Sequence, residues 1–538
     1  MNCKKAFMGV LRFLMMKFTP AATISIATLC LPPQAGWARE PRQPDLGHAE
    51  WLATGGHAWD SVAGIVLAGT MIEGGVPGRF EKIIDLRTGY SRILQETGPM
   101  RAFKGYDGGA WVAQNGIVDS IDRPALVEDA RSQAFIDRAG WRAEIQSIGR
   151  SDPDHAGVVK YMPDRSSEVS VSFDPKNHLV TQVVIETDGG PVITTYGDWR
   201  SVGKLKFAFR QVQTDNTGEV TTLEIEHIQT LRSVPAAALA RPPRSPHGRL
   251  LSTSNTSVPF RQAGSHILVS AKVNDVDADV IFDTGAANYF SPKSARRFGL
   301  EVSGGLNLSG VGESSTTGGF ARANKVSLGA AELRDETVVV APTPWGDRSD
   351  KQQNVPDGFV GYEFFAEFRT TIDYPAHTIE FAKFSEPPRQ QIDEVKVPFY
   401  SVEGHIYVEA EVDNQRGLFG LDTGDGGTVT LFPNFAKLHN LYQNSGDKVV
   451  SSGGGVGGKV SARHVTLSRF TLAGAEFHDL PASLSQNAAG AFASRSLAGN
   501  LGGGILRCFR ITIDYSARTV SFQADPEYLR DCAGSRSN

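Results

Sequence analysis

The sequence predicts a mainly β protein, with a curved antiparallel sheet domain at the N-terminus followed by two tandem β-barrel halves related by a pseudo-two-fold axis. Short runs of alternating apolar and polar residues, separated by turn residues, recur along a chain with 57 glycines. The second part of the chain contains one stretch twice. With 538 residues, the chain is also longer than one hydrophobic core usually supports.

The repeat is organised around two tripeptides, Asp283-Thr284-Gly285 and Asp422-Thr423-Gly424. A shift of 139 positions superimposes them, and it aligns residues 258–282 with residues 397–421 without a gap. Two copies of one unit can pack as two identical subunits do, about a two-fold axis. Such an axis would bring Asp283 and Asp422 face to face. Two further matched segments follow the motifs, Phe368–Tyr374 and Phe509–Tyr515.

Composition and charge exclude some functions and predict export. A net charge of −5, a pI near 6.2 and the lack of a Lys/Arg stripe argue against nucleic-acid binding. Residues 1–38 combine a basic start, an apolar run over 18–31 and the small-x-small pattern Gly36-Trp37-Ala38, which predicts a secretory signal peptide. The apolar run is short of the roughly 20 residues that a membrane anchor needs. Leu29 before Cys30 makes a poor lipoprotein signal, so we expect a periplasmic or secreted protein without a lipid anchor.

Removal of residues 1–38 would leave two cysteines, Cys508 and Cys532. Two cysteines in an exported chain favour a disulfide, here one that ties the C-terminal tail to a strand beginning near Phe509. The histidines and cysteines lack metal-ligand spacing, so neither a metal nor a cofactor is predicted.

The N-terminal region, residues 45–232, contains β-rich runs and one helical stretch over 123–138. Its four tryptophans are expected in the core of a sheet layer: Trp59, Trp111, Trp141 and Trp199. With Tyr106–Trp111 in the middle and Thr195–Arg200 late, the region resembles the curved-sheet domain of lipoprotein-localisation and related periplasmic proteins. That resemblance implies a groove for an apolar ligand without identifying the ligand. Prolines and small polar residues over 233–257 predict a linker.

The two copies, residues 258–384 and 397–525, share the order of their elements. In each, strands lead to Asp-Thr-Gly, and a helical stretch, a glycine-dense hairpin and an apolar-apolar-Gly element follow. This order resembles the retropepsin-like branch of the aspartic peptidases, with both halves fused in one chain. The resemblance implies a catalytic dyad of Asp283 and Asp422 that hydrolyses a polypeptide substrate. The flap glycines that it implies are Gly310, Gly312, Gly455 and Gly457.

The neighbours of the dyad have supporting roles in this interpretation. Thr284 and Thr423 would hydrogen-bond across the pseudo-dyad, and Gly285 and Gly424 would donate N–H groups to the carboxylates. Two carboxylates at about 3 Å share one proton near neutral or mildly acid pH, so the pair would serve as base and acid together.

Two residues of the second copy depart from the family pattern. Asp425 follows the second Asp-Thr-Gly where a small residue is usual, and Asn500 holds the first place of the second apolar-apolar-Gly element. We expect Asp425 to bond a backbone N–H of its own loop, although a third carboxylate could also raise the dyad's pKa values. If one half has lost competence, it is this one.

The sequence contains one competing motif and leaves one alternative function and one alternative assembly open. Residues 453–458 satisfy the dinucleotide pattern G-x-G-x-x-G, but the following residues read as a strand, whereas that motif requires a helix. A non-catalytic periplasmic binding or assembly protein, with the peptidase-like part as a clamp, is the alternative function. Pairing of each Asp-Thr-Gly with a second chain is the alternative assembly. The short connector, residues 385–394, favours pairing within a monomer.

Overall fold

The computed structural model describes the chain from Asp45 onward, except for short gaps. The described residues are 45–142, 149–152, 155–216, 218–252, 256–308, 312, 316–345, 355–387, 393–402, 404–441, 445–456, 458–487, 491–524 and 529. The predicted signal peptide, Gly310, Gly457 and Cys532 lie outside these residues. Asp45–Asn538 forms one compact unit, and the predicted domain boundaries within it stay predictions.

The fold is mainly β, and its first sheet is N-terminal, antiparallel and 13-stranded. Its order is β6-β5-β4-β3-β2-β1-β13-β12-β11-β10-β9-β8-β7, so two meanders run outward from the central β1–β13 pair. The strands are β1 (Gly64–Glu73), β2 (Val76–Asp85), β3 (Ser91–Thr97), β4 (Met100–Tyr106), β5 (Ala110–Gln114), β6 (Ile117–Ile121), β7 (Gly149–Ser151), β8 (Val158–Tyr161), β9 (Val169–Phe173), β10 (Val180–Thr187), β11 (Gly190–Val202), β12 (Leu205–Thr214) and β13 (Val220–Leu231).

Helices α1 (Leu46–Ala53) and α2 (Pro124–Asp137) accompany this sheet. Helix α2 coincides with the predicted helical stretch, and its proline stands in the first turn, where its missing N–H costs nothing. Of the four tryptophans, Trp111 and Trp141 are buried in the core, whereas the other two are only half-buried. The expectation of four core tryptophans is therefore correct for two of them.

The predicted linker carries helix α3 (Ala236–Leu239) and strand β14 (Gly248–Leu250). Arg241 donates to Asp107 of the N-terminal sheet, with Nε 2.7 Å from Oδ2. Strand β14 of the same segment pairs with the first half, where Gly248 lies opposite Leu333. The segment thus contacts both the N-terminal region, through Arg241, and the first half, through strand β14.

The strands of the first half are β15 (Thr256–Ala263), β16 (His266–Val273), β17 (Val276–Phe282), β18 (Tyr289–Phe290), β19 (Ser303–Leu308), β20 (Thr316–Leu328), β21 (Ala331–Val340), β22 (Gly358–Val360), β23 (Arg369–Asp373) and β24 (Thr378–Ala382), and its helices are α4 (Pro292–Arg297) and α5 (Tyr362–Glu367). Ser291 caps α4 by accepting from Ser294 N at 3.1 Å.

The strands of the second half are β25 (Glu394–Pro398), β26 (Tyr400–Val402), β27 (His405–Val412), β28 (Gln415–Asp422), β29 (Val429–Leu431), β30 (Ser445–Gly455), β31 (Gly458–Leu472), β32 (Ala475–Ser485), β33 (Leu497–Gly502), β34 (Phe509–Asp514) and β35 (Thr519–Ala524), and its helices are α6 (Pro433–Leu438) and α7 (Gly503–Leu506). Residues 453–455 end strand β30, so the helix that a dinucleotide site requires is not found there.

The two halves have matching topology. The first runs β19-β20-β21-β18-β22-β17-β16-β15, and the second runs in the same sense from β30 to β26. The sheet of the first half continues from β15 through β24, β23, β34, β35 and β25 and so crosses into the second half, with Thr371 directly opposite Thr512. The two hydroxyls lie 2.9 Å apart. Since these threonines occupy matched positions in the two copies, an approximate two-fold axis passes between them.

The N-terminal sheet is bonded to the second half. Asp188 accepts from Arg123 Nη1 and from Ser494 Oγ, both at 2.8 Å, and both charged side chains are at least nine-tenths buried. At the sheet edge, Arg518 donates to Asp119 at 3.1 Å and to Asp122 at 2.7 Å. Ser401 bonds both carboxylates as well. These contacts hold edge strand β6 against β26.

Among the described residues, no helix is long and apolar enough to cross a membrane. No group of three or more His, Cys, Asp or Glu side chains there could hold a metal ion.

The Arg123–Asp188 pair gives a test of this interface. Arg123→Ala should lower the free energy of unfolding by about 3–5 kcal/mol, because it leaves a buried carboxylate unpaired. Arg210→Ala is the matched control: its pair with Glu224 has side chains 54% and 49% exposed, so the loss should stay below about 1 kcal/mol. Chemical unfolding measures both, and equal losses would contradict a buried ionic interface.

The same pair predicts a pH dependence. Burial alone would raise the pKa of Asp188, but the charge and hydrogen bond of Arg123 outweigh it, so the pKa is lowered. The stabilisation is therefore complete above the unfolded pKa of about 3.9 and is lost as pH falls through the lower folded value. The difference in stability between wild type and Arg123→Ala should shrink accordingly below that pH.

Candidate active site

Each Asp-Thr-Gly lies at the end of a strand that has a paired strand on either side. Strand β17 pairs in parallel with β22, Phe282 opposite Val360, and β28 pairs in parallel with β33, Asp422 opposite Gly502. The hairpins that feed these strands turn through Asn274-Asp275 and Asp413-Asn414, all four with positive φ between 47° and 70°. Such residues suit a two-residue turn, which fixes the strand register. The two loops thereby take equivalent positions.

The two loops are locked together by their threonines. Thr284 N donates to Thr423 Oγ1 at 3.0 Å, and Thr423 N donates to Thr284 Oγ1 at 2.9 Å. Each hydroxyl in turn donates to a carbonyl of the opposite half, Leu421 O or Phe282 O, at 2.8 Å. Both threonines are fully buried, at 1% and 0% exposure. All four bonds exist only when both halves are in place.

The lock brings the two carboxyl groups together. Gly424 N donates both to Asp422 Oδ1, at 2.9 Å, and to Asp283 Oδ1, at 3.1 Å. Gly285 N donates to Asp283 Oδ1 at 2.7 Å. A Cβ at Gly424 would lie 2.1 Å from Asp283 Oδ2, and one at Gly285 would lie 2.8 Å from Asp422 Cγ. Only glycine fits at either position, because each backbone passes directly over the opposite carboxyl group.

Burial and proximity perturb the ionisation of the pair. Asp283 is 6% exposed, and burial, followed by the charge of Asp422, raises its pKa well above the ordinary value. A carboxyl group that keeps its proton beside one that is ionised can donate and accept protons at mildly acid pH. The arrangement is thus suited to general acid–base chemistry on a substrate in the cleft.

The two departures in the second copy contact each other. Asp425 Oδ1 accepts from the backbone N–H of Gly427 at 2.7 Å, which is the bond expected for this side chain. Its Oδ2 accepts from Asn500 Nδ2 at 3.1 Å, and the same nitrogen donates to Asp422 Oδ2 at 3.0 Å. Burial and the charge of Asp422 raise the pKa of Asp425 to about 6. Asn500 thus bridges the third carboxylate to the candidate dyad.

The first copy has a different support that the sequence analysis missed. Asn288 N donates to Glu363 Oε2 at 2.9 Å, and Asn288 Oδ1 accepts from Gly361 N at 3.2 Å. Burial raises the pKa of Glu363 to about 7. Together these residues brace the first loop from behind. The available signal was a polar residue, Asn288, within an otherwise apolar run before β18.

The flap hairpins approach each other over the site. Gly312 N donates to Val456 O at 3.0 Å, which joins the tips of the β19–β20 and β30–β31 hairpins. Val456 also packs on an apolar cluster of the first half around Ile281, Tyr289 and Phe359. Of the predicted flap glycines, Gly312 takes part in this contact and Gly455 ends strand β30, while Gly310 and Gly457 lie outside the described residues.

The N-terminal sheet packs on the first flap. Val76, 3% exposed, and Phe320, 8% exposed, form a small apolar cluster that Met100 and Leu308 join. A Cβ at Gly304 would lie 2.9 Å from Val76 Cγ2, so flap strand β19 passes close to the start of β2. One flap is therefore held by a region outside the two peptidase-like halves.

The predicted disulfide is only half described. Cys508 is fully buried immediately before β34, where the prediction placed it. Cys532 lies outside the described residues, so the pairing stays a prediction.

Comparison with known proteins agrees with this geometry in the first half. The profile of a family described as "Aspartyl protease" matches residues 269–364, which include Asp283, the first flap strands and Gly361. A solved structure titled "Crystal structure of aspartic proteinase from Irpex lacteus" matches with a TM-score of 0.34 and 12% identity, covering 52% of this chain and 100% of that chain. A search of curated proteins finds no match. The chain thus contains an aspartic-peptidase-like domain.

Removal of one locking hydroxyl tests the junction between the halves. Thr284→Val leaves two buried backbone groups, Thr423 N and Leu421 O, without partners. Since each orphaned group costs about 1–3 kcal/mol, we expect the free energy of unfolding to fall by roughly 2–6 kcal/mol. Thr284→Ser keeps the hydroxyl and is the control. Equal stability of the Val and Ser variants in chemical unfolding would contradict the lock.

A charge at the buried contact between the sheet and the flap tests whether the N-terminal region holds the flap. Val76→Asp should release β19 and the start of β20, because an unpaired carboxylate is costly to bury. Hydrogen exchange over 303–308 and 316–320 should speed up about tenfold, which corresponds to about 1.4 kcal/mol of local opening. Ile72→Asp is the control, since Ile72 is 49% exposed. Equal exchange in both variants would show that the contact does not restrain the flap.

Proposed function

We propose that this protein is an exported aspartic-type endopeptidase that hydrolyses peptide bonds with a water molecule activated by Asp283 and Asp422. The observation that carries the proposal is the shared Gly424 N–H, which lies within 3.1 Å of an oxygen of each carboxyl group. Four threonine bonds hold that geometry. The two matched halves support the further proposal that the chain arose by duplication and works as a monomer.

The chemistry follows from one proton shared by two carboxyl groups. The ionised carboxylate takes a proton from the water as the oxygen attacks the peptide carbonyl carbon. The protonated carboxyl group gives its proton to the carbonyl oxygen, which yields a neutral tetrahedral diol. When the C–N bond breaks, the carboxyl group that took the proton of the water gives it to the leaving amine, and the other carboxylate takes a proton from a diol hydroxyl, so the pair is again singly protonated. The apparent pKa values of the pair belong to both groups together.

The flaps would supply substrate binding. An extended peptide can lie beneath the two hairpins and bond their backbone groups in the manner of an added strand. In the described residues, Gly312 bonds Val456, so the hairpins have to part for a substrate to enter. Closure over the substrate would then exclude water other than the attacking molecule.

Replacement of either aspartate tests the proposal. Asp283→Asn and Asp422→Asn should each lower kcat at least about 10³-fold on an unstructured protein substrate between about pH 4 and 7, because each removes a proton-transfer group. Both variants should still melt within a few degrees of wild type. Asp277→Asn, with a side chain 87% exposed on the strand that leads to Asp283, is the control and should cleave normally.

The outcome also distinguishes an endopeptidase from a non-catalytic binding or assembly protein. Activity that survives in both Asn variants would remove the dyad from the mechanism. Lipid that copurifies with the chain, with no cleavage at any pH, would favour the alternative of a binding or assembly protein with an apolar-ligand groove in its N-terminal domain.

A further inference from the structure

Three matched positions differ in kind between the two copies. In the first copy, the positions beside the aspartate are Ile281, Ala286 and Phe359, all apolar. Their equivalents in the second copy are Gly420, Asp425 and Asn500. The strand registers agree, since Ile281 lies opposite Phe359 and Gly420 lies opposite Asn500. The second aspartate therefore has a polar neighbourhood where the first has an apolar one.

The three changes fit one another. Asn500 Oδ1 lies 2.6 Å from the point where a Cβ on Gly420 would stand, so the glycine makes room for the amide. Asp425 Oδ2 and Asp422 Oδ2 then share the two N–H bonds of that amide, at 3.1 and 3.0 Å. Asn500 is only 6% exposed. The two carboxylate acceptors orient this buried amide so that its NH₂ group, and not its oxygen, faces Asp422.

The bridge makes the two aspartates unequal. Asp283 accepts two backbone bonds, both on Oδ1, from Gly285 and Gly424. Asp422 accepts two backbone bonds on Oδ1, from Gly424 and Asp425, and the Asn500 amide bond on Oδ2. Donors favour the charged form of a carboxyl group. Asp422 thus has the greater stabilisation of its charge.

Resting on the proposed peptidase function, we propose that Asn500, held in place by Asp425, is a positioning residue that keeps Asp422 as the ionised, water-activating member of the pair and leaves the shared proton with Asp283. Neither residue has to touch the substrate for this role. Asn500 acts through Asp422, and Asp425 acts both through Asn500 and by its own charge.

The charged groups around Asp425 determine how it behaves with pH. Asp422 is the charged neighbour that acts on it, and His266 approaches the same loop, with Nε2 3.2 Å from the Cβ position at Gly426. Burial lowers the pKa of His266, and the charge of Asp422 offsets part of this effect. Asp425 itself titrates near 6. Below that pH it adds no charge, and above it its charge, which acts on Asp422, opposes further ionisation of the pair.

The two variants therefore change the pH profile differently: Asn500→Leu should move the acidic limb alone, whereas Asp425→Ala, which also frees the Asn500 amide, should move both limbs. Asn500→Leu removes a donor from ionised Asp422, so the acidic limb of kcat/KM should move up by about 1 pH unit. At pH 4, kcat should fall about tenfold with KM nearly unchanged. Asp425→Ala removes a charge present only at higher pH, so the basic limb should move down by about 1 pH unit. Simple structural damage would not move opposite limbs in this way.

Phe359→Leu is the matched control, because Phe359 holds the position of Asn500 in the first copy. Both limbs should stay at the wild-type pH, whatever happens to KM. A profile of Asn500→Leu that superimposes on wild type, or an equal shift in Phe359→Leu, would overturn the proposal. If Asn500→Leu does not fold, Asp425→Ala carries the test, because it frees the Asn500 amide, and an acidic limb that stays at the wild-type pH would overturn the proposal.

A second measurement does not depend on turnover. In the full chain labelled with ¹³C at the aspartate carboxyl carbon, the Asp422 resonance is assigned by its loss in Asp422→Asn. The lower apparent titration midpoint of the pair, followed at this resonance, should rise by about 1 pH unit in Asn500→Leu, and an unchanged midpoint would overturn the proposal. A raised midpoint in a protein that cleaves nothing would keep the charge placement and reject the peptidase function.

Discussion

The reciprocal bonds between Thr284 and Thr423 are the constraint on which the site depends. Each threonine accepts from the other's backbone N–H and donates to a carbonyl that directly precedes the opposite aspartate. Because both hydroxyls are buried, water cannot substitute for these partners, and an unmade bond would be costly. The aspartates are held near each other by groups that are not themselves ionisable, so the loops stay closed whatever the protonation state of the pair.

The two halves are nearly symmetric, but the surroundings of their two aspartates are not. The strand order and the hairpin turns match in the two halves, and Thr371 meets Thr512 close to the axis. The supports behind the loops do not match, since Glu363 and Asn288 brace the first loop, whereas Asp425 and Asn500 flank the second. A dimer of identical chains cannot differ in this way at its two equivalent positions, whereas two copies in one chain can.

The sequence was sufficient for the features that repeat. Two Asp-Thr-Gly motifs at one fixed shift predicted facing aspartates, and the helical stretch predicted after each motif corresponds to α4 and α6. What it could not predict are contacts between residues far apart in the chain. Asp425 and Asn500 were each recognised as irregular, but 75 positions separate them, and only the parallel pairing of β28 with β33 brings them together. The packing of Val76 on Phe320 left no periodic signal, because it joins two different sheets.

The edge of the N-terminal sheet has a consequence for solubility. An unpaired edge strand offers free N–H and C=O groups to any neighbouring chain and so invites aggregation. Strand β6 stands at such an edge, and its neighbourhood is occupied by Ser401 and Arg518, which bond Asp119 and Asp122. A fragment cut at the predicted linker would lose this cover and expose two carboxylates with no cation beside them. The second half thus protects this edge of the sheet from pairing with other chains.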